Sequence, residues 1–176
     1  NFNNDVFFAM SHGVHRGILK KGKFDDRENL INKLIKLTPD LKFDIYGMSG
    51  IQPIWADNYL SAISQSKIGL NLSQGKATKF YSSDRFSQLI GNGLLVMIDE
   101  KTKMNHFFNK NEIVSYKNIS DLSEKLIKYS HDNKLRRSIA KNGRDKYFKY
   151  FNSTIVADFI INKTFGNNKK FYWENK

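Results

Sequence analysis

Apolar residues fall in short bursts along this chain, and longer amphipathic stretches separate them. Asp5–Met10 (DVFFAM), Lys42–Tyr46 (KFDIY), Lys67–Ser73 (KIGLNLS), Leu94–Ile98 and Glu112–Tyr116 (EIVSY) are runs of strand length. Between the first two, Asp25–Leu37 places Leu30, Ile31, Leu34, Ile35 and Leu37 on one helical stripe, and Thr38-Pro39-Asp40 stops it. Ala56–Ser66 predicts a second helix. Ser82, Ser83 and Asp84, all residue types that cap helices, open a short third one. Ser120–Tyr129, Asn133–Tyr150 and Asn152–Lys163 make a helical C-terminus. Strands alternating with helix-length segments predict an α/β fold in three layers, with a mostly parallel sheet and right-handed crossovers. Ligands of such sheets bind at the carboxyl ends of the strands. Three unusual loops are expected there: Ser11–Gly22, Gly47–Trp55 and Ser73–Asp84.

The stretch Tyr81-Ser-Ser-Asp-Arg-Phe-Ser-Gln-Leu-Ile-Gly-Asn-Gly-Leu-Leu-Val-Met-Ile-Asp99 carries the most chemical information. Arg85 stands in the first helical turn, where the helix dipole disfavours a positive side chain. Beside unpaired backbone N–H groups it makes sense if an anion such as phosphate binds there; the alternative is a solvated arginine. Gly91 and Gly93 read as structural, allowing positive φ between helix and strand. Asn71, in an otherwise apolar strand, reads as a buried residue that finds a hydrogen-bond partner.

Composition narrows the function. A chain of 176 residues is one domain, spanning 1–176, with 40% hydrophobic residues to form a core. No cysteine is present, which excludes disulfides and thiolate metal sites. His15, His106 and His131 lack ligand-like spacing, so no metal is expected. No apolar run approaches the roughly 20 residues needed to span a bilayer. The chain begins Asn1-Phe2-Asn3 with no signal peptide, so a cytoplasmic piece of a longer protein is expected. The net charge of +12 suits nucleic acid, acidic lipid or phosphorylated small molecules. Lys125, Lys128, Lys134 and Lys141 fall at helical surface spacings, and no cationic block interleaves with aromatics as a single-strand platform would.

The order of segments resembles the C-terminal, donor-binding domain of two-domain, Rossmann-like glycosyltransferases of the GT-B architecture, in particular bacterial group 1 enzymes. The matching pieces cover nearly the whole chain. They are the basic loop His12-Gly13-Val14-His15-Arg16 with Lys21-Gly22, "DIYG" at 44–47, "SKIGLNLS" at 66–73, "RFSQLIGNGLLVMID" at 85–99, and "NEIVSY" with the helices behind it. The resemblance implies an enzyme that transfers a hexosyl group from a nucleotide-diphospho-sugar to an acceptor hydroxyl. It also implies an N-terminal domain that holds a carbohydrate or lipid-linked acceptor, with surface polysaccharide or glycolipid synthesis as the setting.

Many such enzymes hold the donor pyrophosphate with an Arg and a following Lys-Gly. Arg16 and Lys21-Gly22, five positions apart, fit that pattern. Fixed cations there would stabilise the departing nucleoside diphosphate; the alternative is a solvated basic loop. The resemblance adds Ser82, Ser83 and Arg85 to the diphosphate contacts, and His12, Gly13, Gly47 and Gln88 to the contacts with sugar, ribose or base. His12 would be a donor contact, not the catalytic base, which in this architecture usually comes from the other domain; the catalytic residues stay unassigned. Trp55 either stacks on the base or packs its loop, and packing is preferred. One departure matters. Retaining members carry a spaced pair of glutamates, and counting back from Gly93 those positions hold Gln88 and Phe80. Gln88 can hydrogen-bond hydroxyls but supplies no negative charge. The donor is a substrate, and no cofactor is expected.

Two other readings compete. A basic, non-catalytic nucleic-acid-binding α/β domain would explain the charge, but the cations are dispersed and no recognition motif appears. A flavodoxin-like module would need a Ser/Thr/Gly phosphate loop or an acidic pocket after the first strand, and Ser11–Gly22 fits neither. The remaining expectation is contact with an anionic membrane face, where lipid-linked acceptors reside.

Overall fold

The structure, a computed structural model, describes residues 2–10, 26–81 and 83–175. Five strands form one parallel sheet: β1 (Asn4–Ala9), β2 (Phe43–Tyr46), β3 (Ser66–Asn71), β4 (Leu95–Asp99) and β5 (Val114–Tyr116), in the order β2-β1-β3-β4-β5. Val6 pairs with Phe43 on one side and Ile68 on the other; Ile68 pairs onward with Leu95, and Met97 with Val114. Six α-helices are described: α1 (Asp26–Leu37), α2 (Ala56–Ser64), α3 (Asp84–Gly91), α4 (Ile119–His131), α5 (Asn133–Tyr150) and α6 (Ser153–Thr164).

The period-two alternation of strand side chains builds two cores, one on each face of the sheet. Val6, Phe8, Ile68, Leu70, Leu95 and Met97 face α1 and α4, meeting Ile31, Leu34, Leu122 and Leu126. Phe7, Ala9, Val96 and Ile98 face α2 and α3, meeting Ile63, Phe86, Leu89 and Ile90. Because both faces are covered, the strands read as continuous apolar runs and not as alternating ones.

Several expectations change in detail. The second helix ends at Ser64, and Ser66 is already the first residue of β3. Gly93 has φ +81°, but Gly91 is the last residue of α3, so only one of the two glycines supplies the positive-φ turn. Lys125 is not a free surface lysine. It is half-buried, and its Nζ donates to Asp121 Oδ2 and to the Ser115 carbonyl at 2.8 and 2.7 Å, tying α4 to β5. Beyond α6 the chain folds back. Phe171 and Trp173 pack on Phe159, Trp173 also stacks on Phe151, and Tyr172 stacks on Tyr150 with ring centroids 4.1 Å apart.

Candidate active site

The chain leaves β1 through α1 to reach β2 on one side. It then returns through α2 to reach β3 on the other side of β1. The two crossovers cover opposite faces of the sheet, so the carboxyl ends of β1 and β3 part and leave a crevice, the place where open α/β sheets bind ligands. A cleft of about 670 Å³ occupies it. Its floor is Ala9 and Met10 at the end of β1 and Leu72 just past β3; α3 presents Asp84, Arg85 and Gln88 from one wall. Trp55, Tyr59 and Leu60 of the α2 segment form the opposite wall.

Asn71 is 4% exposed at the end of β3, and its Oδ1 accepts a hydrogen bond from Ser83 Oγ at 3.0 Å. The expected partner for that buried amide is therefore the residue before α3. This bond redirects Ser83. Its backbone takes the extended conformation of an N-cap, φ −92° and ψ 164°, but its hydroxyl caps no helical N–H. The link fixes the start of α3 against the end of β3, so the positive end of the helix dipole faces the cleft.

Arg85 completes the joint. Its Nε donates to the Ala9 carbonyl at 2.8 Å and its Nη1 to the Leu72 carbonyl at 3.0 Å, and the guanidinium lies 5.1 Å from the centre of the Phe8 ring. These carbonyls end two strands that have just diverged, and the planar fork of a guanidinium can reach both. Arg85 is thus neither a solvated cation nor one committed wholly to a ligand; it braces the crevice while lining it. Its charge also opposes the effect of burial on Tyr59. Burial raises the Tyr59 phenol above its ordinary value and Arg85 pulls it back, leaving a net rise, so the wall contributes a neutral hydroxyl at physiological pH.

Gln88 lies one turn beyond Asp84 on the same face of α3, exposed at the cleft. Trp55 departs from its expected packing role: it is 66% exposed and lines the cleft. The next residue, Ala56, takes φ +49° as α2 begins, an uncommon conformation for a residue with a Cβ. Gly47 has φ +80° and donates its N–H to the Ile51 carbonyl at 3.2 Å, closing a turn after β2; it is not among the described residues that line the cleft. His12, Gly13, Arg16, Lys21 and Ser82 lie outside the described residues. Met10 and Arg27, the lining residues nearest the two ends of the 11–25 segment, both face the cleft.

Arg27 is the residue that sequence reasoning missed. It is 7% exposed on the first turn of α1 and lines the crevice. The available signal was a cation at a helix start, the same signal that singled out Arg85. Gln74 and Tyr81, from the Ser73–Asp84 loop expected at the strand ends, also line the cleft. The arrangement combines two cationic side chains, a helix N-terminus, an exposed indole and an amide that can both donate and accept. That chemistry suits an anion joined to a flat ring and a polyol.

Comparison with known proteins gives this geometry its context. No curated sequence matches the chain. Among solved structures, a mutant of S. aureus TarM in complex with fondaparinux, alpha-GlcNAc-glycerol and UDP superposes with a TM-score of 0.63 at 13% identity, covering 91% of this chain and 36% of that one. A glycosyltransferase from Rickettsia africae gives 0.57 at 14% identity, over 96% of this chain and 50% of that one. The C-terminal domain of a group 1 family glycosyl transferase, LpcC of Francisella tularensis, gives 0.50 at 16% identity, over 73% and 64%. The chain therefore spans about a third of the length of TarM and half that of the Rickettsia enzyme. At these identities the likeness is one of fold. The sequence model of the glycosyl transferase-like family matches residues 27–162, from the cleft-lining arginine of α1 to the last turns of α6. The chain belongs to the glycosyl transferase-like family and has a Rossmann-like α/β fold of the GT-B type.

Proposed function

We propose that the cleft binds a nucleotide-diphospho-sugar, whose glycosyl group passes to an acceptor hydroxyl held by an N-terminal domain of the same enzyme. The observation that carries this reading is the meeting, at the β1/β3 crevice, of the α3 N-terminus with Arg27 and Arg85. Breaking the bond between sugar and diphosphate leaves negative charge on the departing phosphate, and preorganised donors in a shielded crevice stabilise that charge as it develops. Arg16 and Lys21 of the basic segment would join them, with the hydroxyl of Ser82 and the backbone N–H of Ser83, whose own hydroxyl is committed to Asn71. Gln88 would meet ribose or sugar hydroxyls together with His12 and Gly13, whereas Gly47, which closes the turn after β2, is left out of the donor contacts. The exposed Trp55 ring would stack on the nucleobase. A uridine base fits the likeness to TarM, whose structure holds UDP.

A hexosyl donor and a lipid-linked or carbohydrate acceptor, in surface polysaccharide or glycolipid synthesis, fit the positive charge of the chain. They would place it in the cytoplasm at the inner face of the membrane. No helix among the described residues is long and apolar enough to cross a membrane.

Calorimetric titration of the intact protein with UDP, GDP and their sugar conjugates tests the proposal. One nucleotide is expected to bind saturably, about tenfold more weakly in Trp55→Ala, since a stacked base contributes about 1–3 kcal/mol. Failure of every nucleotide to bind would overturn it.

A further inference from the structure

A second basic cleft, of about 370 Å³, lies at the opposite edge of the sheet, where the strands begin. Phe2 precedes β1, Lys67 is the second residue of β3, and the Gly91-Asn92-Gly93 turn leads towards β4. Helix α5 lies across them. It presents Arg136, Ala140 and Arg144 at successive i+4 positions, with Arg137 and Lys141 alongside. The small Ala140 and the two glycines leave room between the cations.

The charges there are unevenly answered. Lys67 pairs with Asp5 at 2.6 Å and Lys141 with Asp145 at 2.5 Å. Among the described residues, no carboxylate pairs with Arg136, Arg137 or Arg144. Arg144 Nε donates to the Gly91 carbonyl at 3.1 Å, leaving its terminal nitrogens for another acceptor. Arg136 is the unusual one. It is 2% exposed, its Nη1 donates to Asn133 Oδ1 at 2.6 Å, and its Nη2 is buried with no hydrogen-bond partner. The Phe2 ring lies 5.3 Å from the guanidinium. A buried cationic donor left unmade is among the costlier defects a fold can carry, and a natural fold that keeps one invites a partner for it.

We propose that this cleft is an anion site, separate from the donor crevice, which takes a phosphate group at Arg136 with Arg137 and Arg144 around it. Binding displaces the Phe2 ring and gives Nη2 its missing acceptor. Guanidinium groups present paired N–H donors that match phosphate oxygens. The phosphate could belong to an anionic lipid headgroup or to a soluble phosphate ester, and the experiment separates the two.

Inorganic phosphate is titrated into the ¹⁵N-labelled protein at constant ionic strength. Saturable amide shifts are expected at residues 91–93 and 136–144. Arg136→Met should weaken binding at least tenfold, and so should the double variant Arg137→Gln/Arg144→Gln, whose exposed side chains can be exchanged without disturbing the core. In parallel, both variants are co-sedimented with phosphatidylcholine vesicles with and without phosphatidic acid. Sedimentation that requires phosphatidic acid and is lost in the double variant assigns a headgroup. Saturable phosphate shifts without it assign a soluble ester. Shifts that do not saturate or spread evenly over the basic surface, together with vesicle binding unchanged in both variants, would overturn the proposal.

Discussion

Arg85 shows how one side chain can belong to the fold and to the site together. Its two carbonyl partners lie 76 and 13 positions away in sequence, so no local pattern could have revealed them; only the misplaced charge at a helix start was legible. Arg27 escaped notice because a basic residue in an amphipathic helix reads as part of its solvated face, and burial comes only from tertiary packing. Replacing Arg85 with Met should cost about 3 kcal/mol in chemical denaturation, since two strand-end carbonyls lose charge-assisted bonds. Arg85→Lys should recover little, because an ammonium lacks the planar fork that reaches both. Asp5 gives a pH-dependent counterpart. Burial pushes its carboxyl up, but the Lys42 N–H and the Lys67 ammonium outweigh that and hold it below its ordinary value of 3.8. A depressed carboxylate contributes stability that is fully present above its unfolded value and is lost as pH falls through the folded one. Stability measured from pH 5 downward should therefore drop more steeply in the wild type than in Asp5→Asn.

Among the elements, α3 carries one wall of the cleft and α5 packs against α3, and a glycine marks a close contact of each. Gly69 of β3 lies under α3, where an added Cβ would meet the Leu89 side chain at 2.6 Å. Gly143 lies inside α5, where an added Cβ would come within 2.2 Å of the Glu112 carbonyl oxygen. Helix propensity penalises a glycine at such a position by about 1 kcal/mol, and the backbone passing beside it explains why it is there. Both Gly→Ala changes should destabilise by about 1–3 kcal/mol. The obstacle at Gly69 is a side chain, so Leu89→Ala in the same molecule should absorb the new methyl group. In a double-mutant cycle followed by thermal melting the two changes should be non-additive. The obstacle at Gly143 is main chain, and no side-chain change should relieve it. The elements themselves were legible. Each described strand and helix falls within a few residues of where hydrophobic runs and stripes put it, because burial on both faces makes those runs unambiguous. The N-cap position of Ser83 was legible from its residue type, but the turn of its hydroxyl to Asn71, twelve residues back, which leaves the helical N–H groups uncapped, was not.

In the whole molecule, the strand order was the least legible property. Alternating strands and helices permit several parallel orders, and the choice of β1 as neighbour to both β2 and β3 is made by packing. That choice creates the crevice. The aromatic tail was equally hidden: α6 has no fully buried residue of its own, and its attachment rests on Phe171 and Trp173 together with the Lys163–Glu174 and Lys169–Asp158 ion pairs. Deleting residues 167–176 should leave the sheet intact while hydrogen exchange across α6 accelerates by an order of magnitude or more, as for a locally unfolding segment. Unchanged protection would show that α6 holds without its tail. The lengths of the strands carry one more consequence. The two on the outside of the sheet, β2 and β5, have four and three residues, against six in β1 and β3. An outer strand so brief offers another chain few unpaired amides and carbonyls to bind, so the domain is built to resist polymerising by strand addition when crowded beside its own copies.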